Sequence, residues 1–263
     1  MNFEVVYVLS GLAVGLLVGL TGVGGGSLMT PLLTAVFGIS PSVAVGTDLA
    51  FAAITKGAGT IVHRLRQSVD WKIVGLMCVG SLPASVLTSV LLYFLDIHKA
   101  DKGSGVDIFI RYSIAVCVLL TAVTLVFKKR ILAWQAARPH WQLQGRQLTL
   151  ATVGAAAVIG FLVTVSSIGA GAIGATVLIL LYPRLSASEV AGTDIAYAVP
   201  LTAIAAVGHG ILGTLDWGLL AALLMGSIPG ISIGSYLSRS VPERLLRGVL
   251  ATTLTAVAVK LVS

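Results

Sequence analysis

Two glycine-rich stretches and two aspartates are the residues best suited to chemistry in this chain. Thr21-Gly22-Val23-Gly24-Gly25-Gly26-Ser27 and Ser166-Ser167-Ile168-Gly169-Ala170-Gly171-Ala172 each interrupt an apolar segment. Glycine lets a backbone approach a ligand with no Cβ in its path. The apolar segments after the breaks, 28–38 and 173–182, reach only ~16 Å as helices, short of a ~30 Å hydrocarbon core. Both read as half-helices that start inside a membrane, where a break must line a cavity or pack against protein. Their amino ends carry free N–H groups and the positive end of the helix dipole, which together make an anion site from backbone. Gly22, Gly24, Gly25, Gly26 and Ser27 would form one half of that site, and Ser167, Gly169 and Gly171 the other.

The aspartates belong to a repeated triplet, Gly46-Thr47-Asp48 and Gly192-Thr193-Asp194. Ser40-Pro41 gives an N-cap and a first-turn proline, and Ser186 with Glu189 has capping-box spacing at the matching place. Each aspartate lies eight residues past its cap serine, roughly 12 Å deep and near the midplane. A carboxyl group there is costly and functional by default. Three roles stay open for it: accepting N–H bonds from the neighbouring break, carrying a proton, or touching the ligand directly. The last places a bare carboxylate against an anion. Thr47 and Thr193 are candidate hydroxyl donors to the same ligand.

The elements that hold these residues are written in the hydropathy. The 263 residues are 57% hydrophobic and 10% charged, with mean hydropathy +1.01; a soluble domain carries roughly 25% charged residues. Apolar runs fall at about 5–20, 43–62, 72–95, 108–127, 148–165, 190–208, 217–237 and 245–262, each near the ~20 residues that span a bilayer. The expected fold is an all-α integral membrane protein of about eight transmembrane helices plus two half-helices. No strand alternation supports a β-barrel. The opening Met1-Asn2-Phe3-Glu4 lacks the basic region of a signal peptide, so the first run is expected to stay as a helix. Cys78 and Cys117 both lie in apolar runs, against a disulfide framework or a zinc site.

The second half repeats the first. Besides the triplet, His63 returns as His209, Asp70-Trp71 as Asp216-Trp217, and Gly80-Ser81-Leu82-Pro83 as Gly226-Ser227-Ile228-Pro229, all at one offset. Residues 1–127 form a first membrane repeat, 128–147 a basic linker too short to fold as a domain, and 148–263 a second repeat. Arg64, Arg66 and Lys72 fill the first loop, while 209–216 holds no Lys or Arg. Lys99 and Lys102 in 96–107 face three aspartates; Arg239, Arg244 and Arg247 in the matching loop face only Glu243. The linker carries Lys128, Lys129, Arg130, Arg138 and Arg146 with no acid. By the positive-inside rule equivalent loops fall on opposite sides, so the repeats are inverted and both termini lie outside. The net charge of +7 is thus topology rather than affinity for nucleic acid. Hydropathy alone leaves the path of the hairpin before each half-helix open.

The remaining polar residues have plainer readings. Lys56 would snorkel to the interface, or else stand as the fixed cation near an anion path; its counterpart is Thr202. His63 and His209 close their helices and would cap carbonyls. Asp70-Trp71 and Asp216-Trp217 read as N-cap plus interfacial anchor. Pro83 and Pro229 free carbonyls in mid-span, for which Ser81 and Ser227 are nearby partners and secondary site candidates. The glycine run lacks G-x-G-x-x-G spacing, and no Gly-Lys-Ser/Thr triplet occurs. Neither a cofactor nor a metal is expected.

Taken together, Gly22-Val23-Gly24-Gly25-Gly26-Ser27, the half-helix with Pro31, Gly46-Thr47-Asp48, and Asp70-Trp71 followed by Gly80-Ser81-Leu82-Pro83 resemble the sulfite exporter TauE/SafE family. The resemblance covers nearly the whole chain. It implies a multi-pass bacterial inner-membrane transporter, not an enzyme, associated with sulfite and organosulfonates. The expected partners are a small anionic substrate, membrane lipid and a coupling proton; a second copy of the chain is compatible with this reading. Ser167 and Ala170 stand where the first break has Gly22 and Gly25, so unequal half-sites are expected. A passive anion channel is one alternative. An intramembrane aspartyl protease using both aspartates as a dyad is another, but neither has the Gly-x-Gly-Asp context of that class.

Overall fold

The computed structural model describes residues 3–21, 26–65, 68–97, 104–136, 143–237 and 252. Its helices in chain order are α1 (Phe3–Thr21), α2 (Gly26–Ala35), α3 (Pro41–Leu65), α4 (Trp71–Phe94), α5 (Gly105–Ala136), α6 (Gly145–Ser166), α7 (Ala172–Leu181), α8 (Ala187–Ile211) and α9 (Trp217–Leu237). Among the described residues there is no strand, and five helices are long and apolar enough to cross a membrane. The run expected at 245–262 lies outside the described residues, apart from Thr252. Both short helices appear where the breaks require them. α5 differs: it continues past 127 to Ala136, because lysine and arginine are good helix formers and do not end a helix by their charge.

Local chemistry sets the ends. Asp70 caps α4 by accepting from the amides of Lys72 at 3.0 Å and Ile73 at 3.2 Å. Asp216 accepts from Leu219 N at 2.9 Å. At α8, Ser186 and Glu189 form the full capping box, with Ser186 N donating to Glu189 Oε2 at 2.7 Å and Glu189 N to Ser186 Oγ at 3.3 Å. Trp71 and Trp217, 53% and 72% exposed, follow two of these caps in the position of interfacial anchors.

The hairpin path is visible in the packing. Tyr7 near the start of α1 meets Phe37 just past α2, edge to face with ring centroids 5.3 Å apart. Thr152 near the start of α6 shares a 2.8 Å hydrogen bond with Tyr182 just past α7. Each half-helix therefore returns toward the end from which its long partner entered. Length and hydropathy carry no information about where a chain turns back, so this lay beyond the sequence.

The two halves exchange helices. α1 packs along α9 and α6 along α4, in both cases parallel. Glycines bring the backbones together: a Cβ on Gly226 would overlap Val8 O, and one on Gly80 would overlap Val153 O. α3 and α8 pack on each other antiparallel, since Gly46 in the second turn of α3 meets Thr214 beyond α8, and Gly192 in the second turn of α8 meets Ser68 beyond α3. A reciprocal clasp fixes this pair. Thr47 Oγ1 accepts from Asp216 N at 3.1 Å, and Thr193 Oγ1 accepts from Asp70 N at 3.0 Å.

Candidate functional site

The antiparallel α3–α8 pair brings the chemistry-bearing residues to the middle of the molecule. Asp48 is fully buried and Asp194 nearly so. Asp48 Oδ2 accepts from Thr30 Oγ1 at 2.6 Å and Thr30 N at 3.2 Å, which ties α3 to the first half-helix. A carboxyl group holding a backbone amide and a hydroxyl in low dielectric is a strong anchor; its donor is Thr30 of the half-helix rather than an amide of the break itself. Its Oδ1 is buried with no hydrogen-bond partner, as is Asp194 Oδ1.

Asp194 sits differently. No described residue donates a hydrogen bond to it. Its Oδ1 lies against Gly174, where any Cβ would collide with it. The reason is in the sequence of the half-helices: at the offset of the breaks, α7 has Gly174 and Ala175 where α2 has Met29 and Thr30. An alanine offers no hydroxyl, and the Ala175 amide already donates to Gly171 O at 2.8 Å.

The second break is fully described. Ser167 ends α6 in the left-handed region with φ 59°, its N–H donating to Val163 O at 2.7 Å. Ser166 Oγ donates to Leu162 O at 2.7 Å and accepts from Ile168 N at 3.2 Å. Gly169 and Gly171 have φ 127° and 146°, a region that side chains rarely enter. The chain then closes with Gly174 N donating to Gly169 O at 3.0 Å. The amides of Gly169, Ala170, Gly171, Ala172 and Ile173 donate to no described residue, although residues 168–171 are buried. Buried amides left unpaired at the amino end of a helix are what an anion would satisfy. Of the first break, Gly22, Gly24 and Gly25 lie outside the described residues, and Gly26 and Ser27 are placed in the first turn of α2.

Lys56 departs from the snorkelling expectation. It is 6% exposed, and its Nζ reaches across to the second break and donates to Ala170 O at 2.5 Å. The ammonium interacts electrostatically with Asp194 and, less strongly, with Asp48. A carbonyl of the break and two carboxylates give it partners inside the protein, so it has no need of the interface. Ser167 Oγ faces the Asp48 carboxylate from the break without a hydrogen bond.

The other candidates fall into two groups. Thr47 and Thr193 are taken up as acceptors in the clasp described above. Ser81 is buried with an unpartnered Oγ beside Tyr197, whose own hydroxyl is also unpartnered and buried. Ser227 Oγ makes a 3.4 Å contact to Leu224 O within its own helix. His209 caps a carbonyl of the neighbouring helix: Nε2 lies 2.9 Å from Thr164 O and Nδ1 2.8 Å from Thr214 Oγ1. The side chain of His63 lies outside the described residues. Thr30 and Tyr197 lie at the same buried centre but were not among the sequence candidates. The signal for Tyr197 was present, because it replaces Phe51 of the first repeat next to the aspartate.

The family model for sulfite exporter TauE/SafE matches residues 7–261. The chain belongs to this family. TauE/SafE relatives include "Probable membrane transporter protein YjnA" of Bacillus subtilis (strain 168), 38% identical over 97% of this chain and 98% of that protein. "Probable membrane transporter protein YdhB" of the same organism is 28% identical over 91% and 92%. "Probable membrane transporter protein YunE", also from that organism, is 25% identical over 100% and 98%. No solved structure matches the chain. With five long apolar helices among the described residues, this TauE/SafE member is a multi-pass membrane protein.

Proposed function

We propose that the protein is a secondary transporter that moves a small sulfur-containing anion, sulfite or an organosulfonate, across the bacterial inner membrane by alternating access. The observation that carries this reading is the row of unpaired amides from Gly169 to Ile173, the first three in buried residues, with the Lys56 ammonium beside it. Backbone N–H groups bind the oxygens of a tetrahedral or pyramidal oxyanion, and Lys56 supplies the fixed charge. The family description names sulfite export, which fits an oxyanion of this size.

The two repeats are inverted. Support comes from the antiparallel contact of α3 with α8: an axis that exchanges two antiparallel neighbours runs across them, and hence lies in the membrane plane when they span it. The loop before α4, the start of α6 and the end of α7 share one cavity of about 530 Å³, lined by Lys72, Gln144 and Arg184 among others. That end is cytoplasmic by its cations. The opposite end, with Ser104 and the amino terminus, is outside. In a cysteine-free background a cysteine at Ser104 should react with an impermeant thiol reagent added to intact cells, and one at Gln144 only after lysis. The reverse pattern would invert the topology.

The substrate site has its own test. Purified protein in liposomes should exchange labelled sulfite, and sulfite should raise its thermal midpoint. Gly171→Val puts a side chain on the amide row and on a φ of 146°, and should weaken sulfite binding at least tenfold. Unchanged affinity in that variant would remove the break from the site. Exchange that stops at carrier rates also separates this reading from a passive channel, whose unitary currents would far exceed carrier turnover.

A further inference from the structure

We propose that Asp194 alone carries the coupling proton, so that a monoanion crosses with one proton and no net charge. The inference rests on the transporter reading above. Among the described residues, three ionisable groups meet in the buried centre: Asp48, Asp194 and Lys56. Gly22 to Gly25, the break residues outside the described set, add no charge. Two carboxylates and one ammonium leave the site at minus one. An incoming monoanion makes it minus two in a medium where uncompensated charge costs several kcal/mol. Binding one proton returns the loaded site to the charge of the empty one.

The geometry says which carboxylate takes it. Asp48 is held by Thr30, through a 2.6 Å bond from the hydroxyl and a 3.2 Å bond from the amide. Protonation there would loosen the first half-helix. Asp194 has no donor among the described residues, so nothing holds it in the charged form except Lys56. The groups facing it are few. From α3 come Lys56 and, beyond it, Asp48. From α4 comes Cys78, next to Tyr197. Asp70, bonded to the neighbouring Thr193, spends its carboxylate on the α4 cap. Tyr197 lies on α8 itself, and His209, on the same helix, is bonded to Thr164 and Thr214. An anion on the amide row draws Lys56 toward itself and away from Asp194. The carboxylate then takes a proton from the side to which the site is open, forming one O–H bond. That bond breaks on the other side when the anion leaves and Lys56 returns.

The test uses full-length protein in liposomes with labelled sulfite and labelled methanesulfonate, whose charge does not vary with pH. An acid-outside gradient of one pH unit should support up to about tenfold accumulation of methanesulfonate, and a membrane potential set by potassium and valinomycin should support none. Asp194→Asn should retain gradient-free exchange but lose accumulation driven by pH. Asp48→Asn should exchange more slowly and reach the wild-type ratio. Accumulation driven by potential rather than pH in the wild type overturns the proposal, with or without a folded variant. So does Asp194→Asn accumulating like wild type. Wild-type protein that exchanges neither anion overturns the transporter reading, and this one with it.

Discussion

Lys56→Met should exchange sulfite at least about a hundredfold more slowly than the wild type in liposomes. Lys56 is the cation that reaches the second break, and it does so from the opposite half of the chain, donating to Ala170 O. Removing one partner of a buried charge cluster costs about 3–5 kcal/mol, which is roughly two to nearly four orders of magnitude in an equilibrium. The single variant conflates two losses, because Asp194 and Asp48 are left without a counter-charge and the protein itself is destabilised. The double variant Lys56→Met with Asp194→Asn separates them. It restores the net charge of the centre, so the thermal midpoint should recover most of the loss while exchange stays as slow as in Lys56→Met. A Lys56→Met protein with wild-type exchange would show that the anion is held by backbone alone. Arginine should not substitute, since its planar, larger head needs several acceptors and the site offers the ammonium one carbonyl at hydrogen-bond distance.

The sequence made the local elements legible and left their meeting points hidden. Both half-helices, the caps at Asp70, Asp216 and Ser186, and Pro41 as the first residue of α3 follow from residue type and spacing within one turn. The repeat was legible too, from glycines and aspartates at a constant offset. What no spacing encodes is partner choice across the fold. The clasp of Thr47 on Asp216 and of Thr193 on Asp70 joins residues from opposite halves. The exchange of α1 and α6 between halves belongs to the same class of long-range contact. Lys56 stayed open in the sequence because a lone lysine in an apolar helix has two ways out, the interface or a buried partner. Only the position of Ala170 decides between them. The unequal half-sites were legible in outline from Ser167 and Ala170, yet the stronger asymmetry, Thr30 against Ala175, lay in the half-helices rather than in the breaks. Lys56 for Thr202 and Tyr197 for Phe51 are places where the buried centre breaks the repeat. Of the repeating residues, Thr47 and Thr193 hold the halves together and Asp48 holds the first half-helix.

Gly80→Val and Gly226→Val should each cost about 3 kcal/mol or more and leave little monodisperse protein after detergent extraction. These glycines sit at one repeat position, and each faces the first helix of the other half: Gly80 meets Val153 O and Ala157 N of α6, Gly226 meets Val8 O and Leu12 N of α1. Their approach is backbone to backbone, so an added side chain has no flexible neighbour to push aside, and overpacking of this kind is felt through the whole helix pair. In a membrane the loss is not offset by lipid, because apolar tails solvate a separated helix nearly as well as its partner does, and close contact between small residues is what joins the pair. Separating α4 from α6 also displaces Ser166 and Ser167 at the end of α6, so binding should fail along with stability. Gly75→Ala and Gly154→Ala are the matched controls, in the same two helices but with open space where the Cβ would go. They should be neutral, or stabilising by up to about 1 kcal/mol through helix propensity. Equal thermal midpoints for Gly80→Val and Gly75→Ala would mean that α4 and α6 do not touch as the structure has them, and the exchange of helices between the halves would fall with that contact.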